Sequence, residues 1–346
     1  MEGARAPRLA ESLPHLPAGP AGVSSLRSLV GTALAAGLVA AAVVIARGRL
    51  ESAATQLMGA SAWPLAGAAI CAVLVPAATA GAWRSVLASR GVQLGATEAW
   101  GCYGLGSLAN TFLPGRAGDA LRIELFSRRL EQHGGRWLAC GVSISVVLAQ
   151  SVVFGCVLGV GAVLGALPTW ALAPLFALPA VAWGIGHVAR RRCPGERVAH
   201  LAAATTLSVM ASVRLLGWVA ASAVARLLLV IAVLEALGVS HPIGYAFVAL
   251  CGLAVGNTLT PAPGGAGVAA ATMSVALARA GLPASTALAA SVSLHAVETV
   301  ASLLFGASGW LLLRTRSPFS SSSSTLRPSF STSLIVRRLS GEEMAG

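Results

Sequence analysis

The sequence predicts an all-α, polytopic integral membrane protein, and three observations carry that fold class. Only 10% of the 346 residues are charged while 56% are hydrophobic, whereas a soluble chain needs about a quarter of its residues charged. Mean hydropathy is +0.78, and apolar runs of the roughly 20 residues needed to cross hydrocarbon recur along the chain. Two of the breaks between these runs repeat one short motif. Together they predict about six full spans and two re-entrant, broken-helix regions arranged as inverted repeats.

Residues 1–27 are rich in Pro, Gly and Ala, carry Arg5, Arg8 and Arg27, and read as a flexible arm. The first span covers residues 28–46. Its apolar run is long for a signal-peptide core and meets Arg47-Gly48-Arg49 without a convincing cleavage site, so the span is expected to be retained. A second span covers residues 62–83, with Pro64 near its start and Pro76 as a kink, tolerated where neighbours or water satisfy the freed carbonyl. Residues 98–112 are apolar but short and run into Leu113-Pro114-Gly115-Arg116-Ala117-Gly118-Asp119. Residues 120–130 then read as an amphipathic helix with Arg122, Glu124, Arg128 and Arg129.

Spans return at residues 137–164 and 170–189, separated by a turn at Pro168, and Arg190, Arg191, Arg192 and Arg197 mark the next loop. A long helix covers residues 205–237, with Arg214 near one end and Arg226 near the middle. The second irregular region places short apolar pieces at 245–258 and 268–280 around Pro261-Ala262-Pro263-Gly264-Gly265-Ala266-Gly267. The last span covers residues 284–313. The transmembrane domain thus runs over residues 28–314, and the Ser-rich residues 315–346 have the composition of a disordered tail.

All 24 basic residues are Arg, and the net charge is +12. They lie mostly between apolar runs rather than in a stripe interleaved with aromatics, which argues against nucleic acid as a partner. Excess Arg marks cytoplasmic loops. An N-terminus inside also puts Arg84, Arg90, the 116–136 region, the triple Arg and the tail inside, so both termini are expected in the cytoplasm of a cell-membrane protein. Arg47 and Arg49 are the exceptions. No two of the six cysteines form a CxxC pair, and most lie in apolar segments, so neither a disulfide framework nor a metal site is expected. No phosphate-cradling nucleotide loop is visible, and no cofactor is expected.

The repeated break is the most informative feature. The first reads Asn110-Thr111-Phe112-Leu113-Pro114-Gly115-Arg116-Ala117-Gly118, the second Asn257-Thr258-Leu259-Thr260-Pro261-Ala262-Pro263-Gly264-Gly265-Ala266-Gly267. Each has Asn-Thr followed by Pro-Gly-x-Ala-Gly. In the topology above, one break faces each side of the membrane, the pattern of inverted repeats whose broken helices meet at a substrate site. Backbone freed by such a break cannot face lipid and must be buried or line a wet cavity. The restarted half-helices present N–H groups and positive dipole ends suited to an anion. The simpler alternative is a pair of ordinary loops in a Gly- and Pro-rich chain.

The stretch from Asn110 through Arg116, Asp119 and Arg122, with the later Pro263-Gly264-Gly265-Ala266-Gly267-Val268, resembles the lysylphosphatidylglycerol synthase transmembrane region, a family of flippase-like membrane proteins. The likeness extends over roughly residues 28–314. It implies a membrane domain that moves lipids or lipid-linked headgroups between leaflets. Some members join it to a soluble aminoacyl-transferase domain; none is visible here, so the synthase activity is not carried over. Two positions depart from the family pattern: Ala270 stands where a Glu is usual, and Leu294-His295 where Tyr-Arg is usual.

Several residues are candidates for substrate contact. Arg116 and Arg122 have planar forks suited to a phosphate, or serve as positive-inside and interfacial charges. Asp119 starts the restarted helix, where capping is its first expected role and substrate or proton coupling its second. Asn110, Gly115, Asn257, Gly264 and Gly265 contribute polar groups or bare backbone at the breaks. Arg226 and Glu298 fall in mid-span, where a charge costs on the order of 2.5–3.5 kcal/mol, so both are expected to face the interior. His295 shares a helical face with Glu298, the spacing of a proton relay or of a structural pair. Gln150 offers a further polar group.

The function expected is movement of a lipid or lipid-linked substrate with an anionic headgroup between leaflets, without enzyme activity. Two alternatives stay open: a non-transporting scaffold for a separate lipid synthase or glycosyltransferase, and a membrane-embedded lipid-modifying enzyme. The enzyme needs a cluster of acid, base or metal-binding residues that this sequence, with 12 acidic residues, does not display.

Overall fold

The computed structural model of the chain describes residues 55–56, 58–112, 117–130, 135–168, 207–259 and 265–316. The described residues form eight α-helices and no strand. These are α1 (Ala62–Ser89), α2 (Ala96–Phe112), α3 (Ala117–Arg129), α4 (Gly135–Val163), α5 (Val209–Ala236), α6 (Pro242–Leu259), α7 (Gly265–Arg279) and α8 (Ala284–Arg316). The predicted spans at 28–46 and 170–189, the arm and the tail beyond residue 316 lie outside the described residues, as do Gly115, Arg116 and Gly264, while residues 315–316, placed in the tail from sequence, continue α8. The protein is an all-helical, multi-pass membrane protein.

Helices α1, α4, α5 and α8 have 28, 29, 28 and 33 residues and are apolar and long enough to cross a membrane. Their apolar residues run all round the helix, as lipid on one side and protein on the other require. Helices α2, α3, α6 and α7 have only 17, 13, 18 and 15 residues. At 1.5 Å per residue none exceeds about 27 Å, short of a hydrocarbon core of roughly 30 Å. Each pair folds back on itself. Gly106 lies against Gly118, and Gly256 against Ala269, where a Cβ on any of these glycines would collide with the facing helix. The order long, short, short, long therefore occurs twice.

The two long helices that open each set, α1 and α5, pack antiparallel. The Ser61 N–H donates to the Ala236 carbonyl at 2.9 Å at one end. In the middle the Thr79 and Ser222 hydroxyls lie 3.2 Å apart, and the Ser222 hydroxyl also donates to the Val75 carbonyl. Toward the other end the Trp218 ring covers the bare face of Gly81. In lipid, where burial supplies little drive between helices, such close packing and hydroxyl bonds hold the bundle. Pro76 sits beside this crossing inside an unbroken helix. Both helices stop at a glycine with positive φ, Gly91 at 78° and Gly238 at 72°, a conformation that other residues adopt with strain.

Because α1 and α5 are antiparallel, the hairpins that follow them are based at opposite ends of the bundle. Each end has its own core. One packs Trp83, Val86 and Leu87 with Phe126, Val142 and Leu215, including a stacked Trp83–Phe126 pair at 4.5 Å. The other packs Leu229, Val233, Leu250, Met273, Leu277 and Leu294. Exchanging α1 with α5, α2 with α6, α3 with α7 and α4 with α8 maps the set of well-packed helix pairs onto itself.

Candidate functional site

The α2/α3 hairpin carries a polar cluster near its tip. Asp119, in the first turn of α3, accepts from Asn110 Nδ2 at 2.9 Å and from Arg122 Nη1 at 3.1 Å. Its carboxylate thus ties the two arms of the hairpin together, beyond the capping expected from its position. Arg122 reaches Ser107 Oγ through Nη2 at 3.5 Å, and its guanidinium lies 3.8 Å from the centre of the Tyr103 ring, a cation–π contact. Arg122 Nε is buried without a hydrogen-bond partner. The close approach that builds the cluster depends on Gly106 and Gly118. A Cβ at Gly106 would come within 3.0 Å of Arg122 Nε.

Sequence reasoning picked out Asn110, Asp119 and Arg122 but missed Tyr103 and Ser107. The signal was present: positions 103, 107 and 110 follow the i, i+4, i+7 spacing of one helical face, and 119 and 122 are one turn apart on the facing helix.

A second cluster lies between α5 and α8. Arg226 Nη2 is 3.4 Å from Glu298 Oε1, and His295 Nδ1 is 3.8 Å from Glu298 Oε2. Arg226 Nε and His295 Nε2 are buried without hydrogen-bond partners. Register places this cluster level with both hairpin tips. Helix α7 runs antiparallel to α8, with Ala269 and Met273 in one core with Leu294 and Ala290. The same register sets Gly265, the first residue of α7, level with Glu298. Helix α2 is also antiparallel to α8, with Gly101 against Gly309, Gly104 against Phe305 and Leu108 against Gly306. One further turn brings the tip of α2 to the Glu298 level.

Of the other predicted residues, Gln150 lies half-buried on α4, and Asn257 is within the last turn of α6. Outside the membrane-spanning helices, Glu124 on α3 meets Arg128 at 3.2 Å and Arg136 at 3.0 Å. Burial pushes its carboxyl up, but the bonds from Arg128 and Arg136 outweigh that and hold it below the ordinary carboxylate value.

The two halves of the bundle differ. Helix α2 touches α8 backbone to backbone through Gly101, Gly104, Gly306 and Gly309. The corresponding contact of α6 with α4 is made through a side chain, the Phe247 ring lying over Gly161. At the hairpin tips, Asp119 and Arg122 pair in one half, while the matching stretch of α7 reads Val268-Ala269-Ala270-Ala271.

No curated protein matches the chain. The family described as the lysylphosphatidylglycerol synthase TM region matches residues 28–306, a stretch that includes all eight described helices but the end of α8, both hairpins and both polar clusters. The chain therefore belongs to the lysylphosphatidylglycerol synthase TM region family, whose description ties it to lipid handling in the membrane.

Proposed function

We propose that this protein moves a lipid, or a lipid-linked substrate, with an anionic headgroup between the leaflets of the bilayer, as a carrier and not an enzyme. The observation that carries this reading is Arg122. It is held at the hairpin tip by Asp119 and Tyr103 with its Nε buried and unsatisfied. A buried donor without a partner is costly, and an oxyanion of a lipid phosphate fits it in kind and charge. The N-termini of α3 and α7 both begin at the hairpin tips, level with Glu298, and add positive dipole ends to the same depth.

The repeats support the transport part of the reading. Antiparallel α1 and α5, hairpins based at opposite ends, and a packing pattern unchanged by exchange of the halves are what inverted repeats produce. The tight α2/α8 seam and the looser α6/α4 contact fit one of two states related by swapping the roles of the halves. Arg84, Arg90, Arg128, Arg129, Arg136 and Arg214 gather at the end where α2/α3 is based, with Arg279 at the other end. On the positive-inside rule this supports both termini in the cytoplasm of the cell membrane. A separate synthase or transferase then supplies the lipid.

The test is lipid translocation in liposomes, with wild type beside Arg122→Ala and Arg116→Ala. Loss of movement in Arg122→Ala supports headgroup contact. Wild-type protein that moves no lipid supports the scaffold alternative instead.

A further inference from the structure

Glu298 has two partners and is hydrogen-bonded closely to neither. Its distances of 3.4 Å to Arg226 and 3.8 Å to His295 exceed the usual 2.7–2.9 Å of a charge-assisted bond. The carboxylate thus sits between a permanent cation and an imidazole, a side chain that can both accept and donate a proton. The remaining nitrogens of both partners, Arg226 Nε and His295 Nε2, are buried and unpaired, so each has capacity for another ligand. All three side chains keep part of their surface open, 39%, 27% and 23% for Arg226, Glu298 and His295. A charge in mid-span is costly against lipid, which favours a water-filled cavity for this open surface.

We propose that His295 and Glu298 form a proton-binding site that takes up one proton when Arg226 turns from Glu298 to the lipid phosphate, so that headgroup binding is coupled to proton binding. This rests on the carrier reading above. With Arg226 on Glu298 and His295 neutral, the cluster carries no net charge. When Arg226 pairs with a phosphate oxygen, Glu298 loses its counter-charge, and a lone carboxylate at that depth is far costlier than the neutral acid. His295 supplies the route. When Arg226 swings away, the now-buried imidazole Nε2 is uncovered and takes a proton while the Nδ1 proton passes to Glu298 Oε2, so one proton enters and the imidazole ends neutral. Release of the phosphate returns Arg226 to Glu298 and drives the proton off.

At that level the other described carboxylate is Asp119 at the α2/α3 tip, and it is already held by Asn110 and Arg122. Helix α7 has no ionisable group before Arg279 at its far end. Those of α2 (Glu98, Cys102 and Tyr103) lie nearer its base. On α1, Cys71 packs in the apolar cluster with Val297, and the other ionisable residues of α5, Arg214 and Glu235, lie toward its ends.

The test uses the whole protein in two assays. In weakly buffered detergent, short-chain phosphatidylglycerol is added and pH is followed with an indicator dye. Wild type should take up protons on lipid addition, Glu298→Gln none, and His295→Gln the same amount more slowly. In liposomes, labelled phosphatidylglycerol is followed with a pH gradient imposed. One proton per lipid shifts its steady-state leaflet ratio roughly tenfold per pH unit, and Glu298→Gln should abolish the shift while still binding lipid. Movement with no response to the gradient, or equal proton uptake by Glu298→Gln, overturns the coupling and leaves the carrier reading standing. Wild type that neither moves nor binds the lipid overturns both. Unchanged helix content of each variant by circular dichroism separates these outcomes from misfolding.

Discussion

Arg226 of α5 and Glu298 of α8 meet at 3.4 Å in the middle of their helices, level with the tips of both hairpins. The ion pair joins two helices that also share the apolar core of Leu229, Val230, Leu294 and Ala301. Breaking one member of such a pair leaves an uncompensated charge, whereas replacing both is far milder. Arg226→Leu is expected to destabilise the detergent-solubilised protein by about 1–2 kcal/mol, between the values for exposed and buried pairs, and the double variant Arg226→Leu/Glu298→Leu by less than that. Chemical denaturation of the four species measures the cycle, and additive losses would show the pair to be uncoupled.

Arg122 spreads its fork between Asp119, through Nη1, and Ser107, through Nη2, and lies on the face of Tyr103. Lysine keeps the charge but neither the fork nor the planar stacking. Arg122→Lys should therefore lose most of the translocation that Arg122→Ala loses, and Tyr103→Leu should lose part of it. A lysine variant as active as wild type would reduce the role of Arg122 to a point charge.

The α2/α8 seam has no room for a side chain at Gly104, where a Cβ would lie 2.8 Å from the Phe305 carbonyl oxygen. Overpacking of this kind costs about 1–3 kcal/mol, and Gly104→Val should lower the melting temperature in detergent. Gly217 and Gly244, with open space around them, should tolerate alanine. A Gly104→Val protein with the wild-type melting temperature would mean that the seam opens freely.

If the halves exchange roles, α6 closes on α4 as α2 now closes on α8. Helices α1 and α5 begin 147 residues apart (209 − 62), and α4 and α8 begin 149 apart (284 − 135). On these offsets Cys251 is the counterpart of Gly104 and Cys156 that of Phe305. Cys156 is now exposed and Cys251 half-buried, and both are free thiols. In a variant keeping only these two cysteines, a short bifunctional thiol reagent should cross-link them more when lipid is being moved than at rest. Cross-linking that never responds to lipid would contradict an exchange of states.

Glu124 bridges α3 to α4 through Arg136, with its folded carboxyl held below the ordinary value of 4.5. A depressed carboxylate contributes stability above its unfolded pKa and loses it as pH falls through the folded value. Wild type should therefore melt higher than Glu124→Gln at pH 7, by a small margin suited to an exposed pair, and the margin should vanish in acid below that folded value. A margin that persists there would assign it to packing.

The spans and the hairpins were legible because their causes are local. Long apolar runs with flanking Arg give α1, α4, α5 and α8, and the two Pro-Gly breaks give hairpins whose arms are too short to cross. Arg226 and Glu298 were legible because a charge in mid-span has few alternatives to an interior partner. The α1/α5 crossing was not. Thr79 and Ser222 look like hydroxyls bonded back to their own helix, as Thr79 also is to Val75, and only the packed bundle sets them against each other. Tyr103 and Ser107 were missed because attention to charge passes over the neutral residues on the same helical face as Asn110. The seam glycines were missed for a related reason: in a Gly-rich chain, Gly104 and Gly306 differ from exposed glycines only through their tertiary neighbours.

The most direct measurement is the transbilayer movement of headgroup-labelled phosphatidylglycerol in liposomes, read with an impermeant quencher. The carrier reading predicts fast loss of the protected inner-leaflet signal with wild type and slow loss with Arg122→Ala folded to the same helix content. Protected signal that decays no faster than in protein-free liposomes, for anionic and neutral lipids alike and with or without a pH gradient, would contradict it.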